Sequence, residues 1–138
     1  MEAERAFVDF IRGTGRADVP TPAVAVAKDQ ILAVAGTVIG GASEEGCEAV
    51  VRLARELGGR PESSILVYGD RVPAQQAAFV NGLMARALDF CDALAPGAHI
   101  GSAVIPAALA AAELVGGVSG ELFLTAVCVA TEVGLTRA

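Results

Sequence analysis

Tryptophan is absent from these 138 residues, and five Phe and one Tyr are the whole aromatic complement. A core built without large rings must draw on small side chains, so backbone segments are expected to pack closely while each buried residue removes little apolar area from water. Basic residues are also scarce. Ten Lys and Arg stand against 16 Asp and Glu for a formal charge of -6, and no basic run is present, which argues against nucleic-acid binding. Lys28 is the one lysine and His99 the one histidine. The three cysteines, Cys47, Cys91 and Cys128, have neither CxxC nor paired metal-ligand spacing, which suits a reducing compartment and thiols that fill or line the core. Of the three, only Cys91 stands among other reactive side chains.

The start of the chain carries Glu2, Glu4, Arg5 and Asp9 rather than a basic stretch and an apolar run, so it reads as mature protein with no secretion signal. Ala93 to Ala112 lacks charge and approaches membrane-span length, but Pro96, Gly97, His99, Gly101, Ser102 and Pro106 interrupt it. That pattern predicts a loop entering a buried helix, no membrane segment, and a cytoplasmic protein. No repeat, acidic tail or long linker divides the sequence, so residues 1–138 read as one unit.

What remains is 54% hydrophobic, much of it Ala and Val, in segments with helical spacing. Phe7, Phe10 and Ile11 mark a short first helix ended at Gly13. A second is capped by Thr21 with Pro22 in its first turn, carries Ile31, Ala35 and Val38 on one face, and stops at Gly40 and Gly41. Ser43 is a candidate cap for a third helix bearing Cys47, Val50, Ala54 and Leu57, with Gly58 and Gly59 at its end. Ile65 to Tyr68 reads as one short extended segment before a Gly69-Asp70 turn; a true sheet there would make the fold α+β instead. Pro73 opens a helix running to Leu88, Ser102 caps another through Val115, and Ser119 caps a last one. The expected class is all-α, a compact multi-helix unit. The nearly charge-free stretches Ser102–Val115 and Gly120–Val133 are expected to bury a face against another copy or a further domain.

Polar chemistry concentrates in Leu88-Asp89-Phe90-Cys91-Asp92 and Pro96-Gly97-Ala98-His99-Ile100-Gly101. A carboxylate at Asp89 can fix which imidazole nitrogen of His99 carries the proton, and a histidine so fixed can transfer protons near neutrality. The plainer reading gives Asp89 or Asp92 a local cap or turn bond and His99 a buried polar contact. Asn81-Gly82 ordinarily marks a turn, yet the surrounding apolar spacing keeps Asn81 on a helix, facing a pocket or a polar loop. Gly116-Gly117-Val118-Ser119-Gly120 lacks the preceding strand of a phosphate-binding loop. Glu113 and Glu132 need solvent or partners in such apolar surroundings, and Arg137 reads as a surface or interface contact.

The run from Asn81-Gly82 to Leu88-Asp89-Phe90-Cys91-Asp92 resembles the NG...LDFDD segment of the MmgE/PrpD family, which includes 2-methylcitrate dehydratase, cis-aconitate decarboxylase and an epimerase. His99 to Leu109 resembles its histidine loop and following helix, and Ser119-Gly120-Glu121-Leu122 and Thr131-Glu132-Val133 resemble later features. The resemblance implies the N-terminal helical part of a lyase that eliminates water or carbon dioxide from small polycarboxylates without a metal or other cofactor. It implies catalytic roles for Asp89 and His99 and substrate contacts at Asn81, Asp92 and the position of Ala93. Two departures alter the site: Ala93 replaces the family's threonine, and Cys91 replaces an aspartate. The resemblance further implies a lysine, a second histidine and a mixed α/β domain farther along a full-length enzyme. The chain alone is therefore expected to be inactive and to work as a homo-oligomer or with a complementary C-terminal segment. Epimerisation of a small dicarboxylate and a non-catalytic interaction or scaffold role are the alternatives.

Overall fold

Glycine and proline set most of the boundaries in the computed structural model, which describes residues 2–93 and 98–136. Helix α1 spans Glu2–Gly13 and leads through a 3-10 turn, Arg16–Asp18, to α2, Thr21–Gly41. Helix α3 covers Cys47–Leu57; a two-residue strand β1, Ser63–Ser64, pairs antiparallel with β2, Arg71–Val72. Helices α4, Ala74–Arg86, α5, Gly101–Leu114, and α6, Gly120–Thr136, complete the order. The class is all-α, as expected.

Helix α5 lies at the centre, packed chiefly on α4 and also against α6, α2 and β1, while α2 crosses both α4 and α6. Among the described residues the core has no fully buried aromatic ring: its largest fully buried side chains are Ile65, Met84, Ile105, Val38, Val51, Val80 and Val127. Small residues let the helices approach, as the composition implied. At Gly41 even a Cβ would run into the Met84 carbonyl of α4, and at Gly82 a Cβ would stand 3.2 Å from the Ser102 carbonyl of α5. Ser102 is the residue whose carbonyl Pro106, four positions on and lacking an N–H, cannot serve.

Several local expectations are revised. Ile65 to Tyr68 is not a strand. Val67 adopts φ 69° and Gly69 φ 77°, and Gly69 N–H donates to the Ile65 carbonyl at 2.9 Å. The segment is thus the tight reversal between β1 and β2, with Ile65 fully buried in the core and Leu66 and Tyr68 packed against it. Ser43 does not cap α3: the chain makes a further turn and Gly46, at φ 89°, is the cap residue. Pro20 rather than Thr21 precedes α2, with Pro22 in its first turn. Helix α4 stops at Arg86, and α5 begins at Gly101, one residue before Ser102. Ser119 does cap α6, its Oγ accepting from Leu122 N–H at 3.1 Å.

Glu113 is a structural group, as expected of it. Its carboxylate accepts from Ser64 N–H and Ser64 Oγ and lies 3.9 Å from Arg71, tying β1 and β2 to α5. Arg55 of α3 holds Asp70 by two bonds, at 2.9 and 2.6 Å, and lies over the Tyr68 ring. The exposed large apolar side chains are concentrated less on α5 than expected: Val26, Leu32 and Ile39 project from α2, and Val8, Phe10 and Ile11 from α1. By length and composition α2 is apolar enough to cross a membrane; in the fold it packs along α4, α5 and α6. Arg137, Pro96 and Gly97 lie outside the described residues.

Candidate active site

The polar cluster is built where α4 ends and α5 begins. Three residues past the end of α4, Asp89 lies in the left-handed region, at φ 55°, a conformation that a short polar side chain tolerates better than most non-glycine residues. The turn is closed by Asp89 N–H donating to the Arg86 carbonyl at 2.9 Å. On the other side, Gly101 N–H, at the first residue of α5, donates to both oxygens of the Asp92 carboxylate at 3.0 and 3.1 Å. An anion there satisfies a helix N-terminus that has no capping side chain of its own. Gln30 of α2 donates to the same carboxylate at 3.2 Å. Gly101 is required by this contact, because a Cβ would collide with Asp92 and crowd Gln30.

These ties bring Asp89, Cys91 and His99 together, with one donor atom from each side chain within 4.8 Å of the others. His99 Nδ1 lies 2.9 Å from the Asp92 backbone oxygen and 3.3 Å from Cys91 Sγ. A carbonyl oxygen only accepts, so this contact places the proton on Nδ1 and leaves Nε2 with the lone pair of a neutral imidazole. The tautomer is therefore fixed, but by the backbone of Asp92; Asp89 reaches Arg86 instead, at 2.7 Å. The same Arg86 Nη1 donates to Cys91 Sγ at 2.8 Å. Both neighbours of the sulfur are donors, so Cys91 is placed as an acceptor. The guanidinium is held above its ordinary pKa, first by the Cys91 sulfur, against the opposing effect of burial, and then by Asp89.

Arg86 is the functional candidate that the sequence reading missed. Its position three residues before Asp89 was the available signal. Of the other expected site residues, Asp92 holds α5, and Ala93 is exposed at the edge of the cluster with no hydroxyl to offer. Asn81 is not brought to the cluster. It is 2% exposed, accepts from Leu66 N–H at 2.9 Å and donates to the Ser64 carbonyl at 3.0 Å, which ties α4 to the β1–β2 reversal.

An open cleft of about 480 Å³ borders the cluster, formed by Gln30, Ala33 and Val34 of α2 against Phe90, Cys91 and Asp92. A larger one, about 560 Å³, lies between Leu109 and Phe123 at the C-terminal end of α5. Its charged groups, Arg71 and Glu113, are paired with each other and with Ser64, so the smaller cleft is the one with chemistry beside it. Cys47 and Cys128 are remote from this. Burial, and for Cys47 also the charge of Glu44, raises their thiol pKa values; Arg16 opposes the rise at Cys128.

No curated protein and no solved structure matches the chain. Residues 5–137 match the MmgE/PrpD N-terminal domain, nearly the whole sequence, and the chain belongs to that family.

Proposed function

We propose that this chain supplies the proton-transfer corner of a dehydratase or decarboxylase acting on small polycarboxylates, and that turnover needs groups from outside these 138 residues. The observation that carries the reading is His99, held by its Nδ1–H on the Asp92 carbonyl so that Nε2 is the proton acceptor, with Arg86 one contact away through Cys91. A guanidinium beside a proton-accepting imidazole suits a substrate that carries several carboxylates and loses a proton next to one of them. Membership of a dehydratase-like family supports this reaction class. The sequence offers one lysine and one histidine, Lys28 on α2 does not line the cleft beside the cluster, and Ala93 brings no hydroxyl, so recognition of the remaining carboxylates and the second proton transfer fall to other groups.

The test is an assay of a panel of small di- and tricarboxylates with the chain alone and with a downstream portion of a family member, following water loss, carbon dioxide release and stereochemical exchange separately. The expected result is no appreciable turnover alone, turnover after complementation, and loss of that turnover in His99→Gln with folded content unchanged. Robust activity of the chain alone would overturn the incompleteness, and full activity of a folded His99→Gln variant would overturn the role of His99. Stereochemical exchange alone would favour an epimerase.

A second reading, a non-catalytic helical interaction subunit, is supported by the Cys91 and Ala93 departures together with the apolar side chains exposed on α1 and α2. Both readings include association with a second copy or a complementary segment, which light scattering across concentrations measures. A reducing, cytoplasmic setting is part of the proposal, supported by three free cysteines.

A further inference from the structure

We propose that Asp89, Cys91 and His99 form a three-ligand binding site for a divalent transition metal of the zinc class, for which Arg86 is the built-in competitor. The donor atoms of the three side chains already lie within 4.8 Å of one another. Bonds of about 2.0–2.3 Å to a tetrahedral ion set donor atoms roughly 3.3–3.8 Å apart, so the three donors need to draw together by only about 1 Å. The Cys91 Sγ to His99 Nδ1 separation, 3.3 Å, is at that spacing now.

The chemistry of the donors selects the metal. A thiolate, an imidazole and one carboxylate suit zinc and its neighbours rather than calcium or magnesium, which take oxygen ligands in larger number. Three protein donors leave one tetrahedral position open to water or an anion. His99 binds through Nδ1, the nitrogen beside the sulfur, and gives up its bond to the Asp92 carbonyl as the ring proton moves to Nε2 by exchange with water. Cys91 binds as the thiolate, its proton passing to the buffer, so two anionic donors match the two charges of the ion.

Arg86 shows where positive charge belongs in this cluster. A single guanidinium nitrogen, Nη1, donates to both Asp89 and Cys91, the two ligands that would be anionic. It neutralises one charge of the pair, whereas a divalent ion neutralises both. Its side chain is 40% exposed, so it can withdraw into solvent when the ion takes the shared donors. Removing Arg86 should therefore tighten metal binding, whereas in a cluster that is only an ion-pair network its removal would loosen the ligands and bring no gain in affinity. None of this depends on the lyase reading, and it is measured by absorption rather than by turnover.

The experiment titrates the full chain with Co²⁺, following the thiolate-to-cobalt charge-transfer band and the strong visible absorption of a tetrahedral ion, and then displaces the cobalt with Zn²⁺. One equivalent is expected to bind. Cys91→Ser should abolish the charge-transfer band. His99→Ala and Asp89→Asn should weaken affinity by at least the roughly tenfold that even the outer partners of metal ligands command. Arg86→Gln should strengthen affinity several-fold, and Cys47→Ser and Cys128→Ser should leave the band in place. Circular dichroism confirms that each variant is folded, and Cys91→Asp, which keeps an anionic donor, gives a second version at that position: binding without the thiolate band. Absence of the band in the unaltered chain, its persistence in Cys91→Ser, or an Arg86→Gln affinity that is unchanged or weaker would overturn the proposal.

Discussion

Replacing Asn81 by Ala separates a structural from a functional role for this residue. In the folded chain its amide satisfies Leu66 N–H and the Ser64 carbonyl, and the side chain is 2% exposed. Truncation strands both backbone groups. An orphaned buried group costs about 1–3 kcal/mol; Leu66 and Ser64 are each half-buried, so water partly relieves them, and the sum is about 2–3 kcal/mol. For a chain of 138 residues a kilocalorie corresponds to roughly 3–4 °C, so Tm should fall by about 6–12 °C. Asn81→Asp sharpens the test. It can still accept from Leu66 but sets a buried charge against the Ser64 carbonyl, so at neutral pH it should be at least as destabilised as the alanine variant. Burial holds its carboxyl protonated to higher pH than usual, and once protonated it can donate to Ser64, so its deficit relative to the unaltered chain should shrink in mild acid. Differential scanning calorimetry from neutral to mildly acid pH checks both. A Tm change of less than about 1 °C in Asn81→Ala, well below the cost expected of two orphaned groups, would refute the reasoning.

Gly41→Ala should cost about 1–3 kcal/mol or more, because the added Cβ meets the Met84 carbonyl and α2 and α4 must move apart; pairing it with Ala87→Gly should not rescue Tm, since only the lesser contact is relieved. Gly101→Ala should expel Asp92 from the start of α5, detectable as faster hydrogen exchange of the residue 101 amide and a lower Tm, whereas Gly120→Ala, with open space around it, should be nearly neutral. Arg55, first through its hydrogen bond, holds the Asp70 carboxyl below its ordinary pKa of 3.8, so this pair favours the folded state at neutral pH and loses that effect as pH falls through and below that value. Asp70→Asn should accordingly lower Tm slightly at pH 7 and converge with the unaltered chain once the Asp70 carboxyl is protonated in strong acid, the effect being small because solvent screens this partly exposed pair.

The helices were legible because their signals are local. Gly13, Gly41, Gly58 and Pro73 stop or open helices within a residue or two of where spacing put them. Ser119 caps through its own third following amide, a bond that sequence order implies. The features that were not legible are decided by contacts distant in the chain. Ser102 has the right type and place to cap α5, but the carboxylate of Asp92 reaches that helix end first and starts it two residues earlier than a Ser102 cap would. Ile65 to Tyr68 has strand-forming residues throughout, yet Asn81, 15 positions after Leu66, and the left-handed Val67 make it a reversal. The candidate site was legible as a short polar segment and a histidine loop, and those two do meet. Which groups touch was not legible. Seven residues separate Cys91 from His99, outside any metal-ligand spacing, and Arg86 sits inside the tail of an apolar helical stretch.

Asp92 holds α5 with its side chain and the His99 ring with its backbone oxygen, the two bonds pointing to different parts of the protein. Mutational scanning will confuse them. Replacing Asp92 by Ala leaves the carbonyl chemically intact but releases the helix end that keeps that carbonyl beside the imidazole, so in the complemented enzyme proposed above turnover would fall whether or not Asp92 meets a substrate. Scored by activity alone it would be counted among the acid–base residues. A proton inventory or a pH profile that keeps its shape while its amplitude falls would reveal it as the hinge pin of the histidine, and the same caution extends to Gln30, which grips Asp92 from a helix 62 residues earlier in the chain.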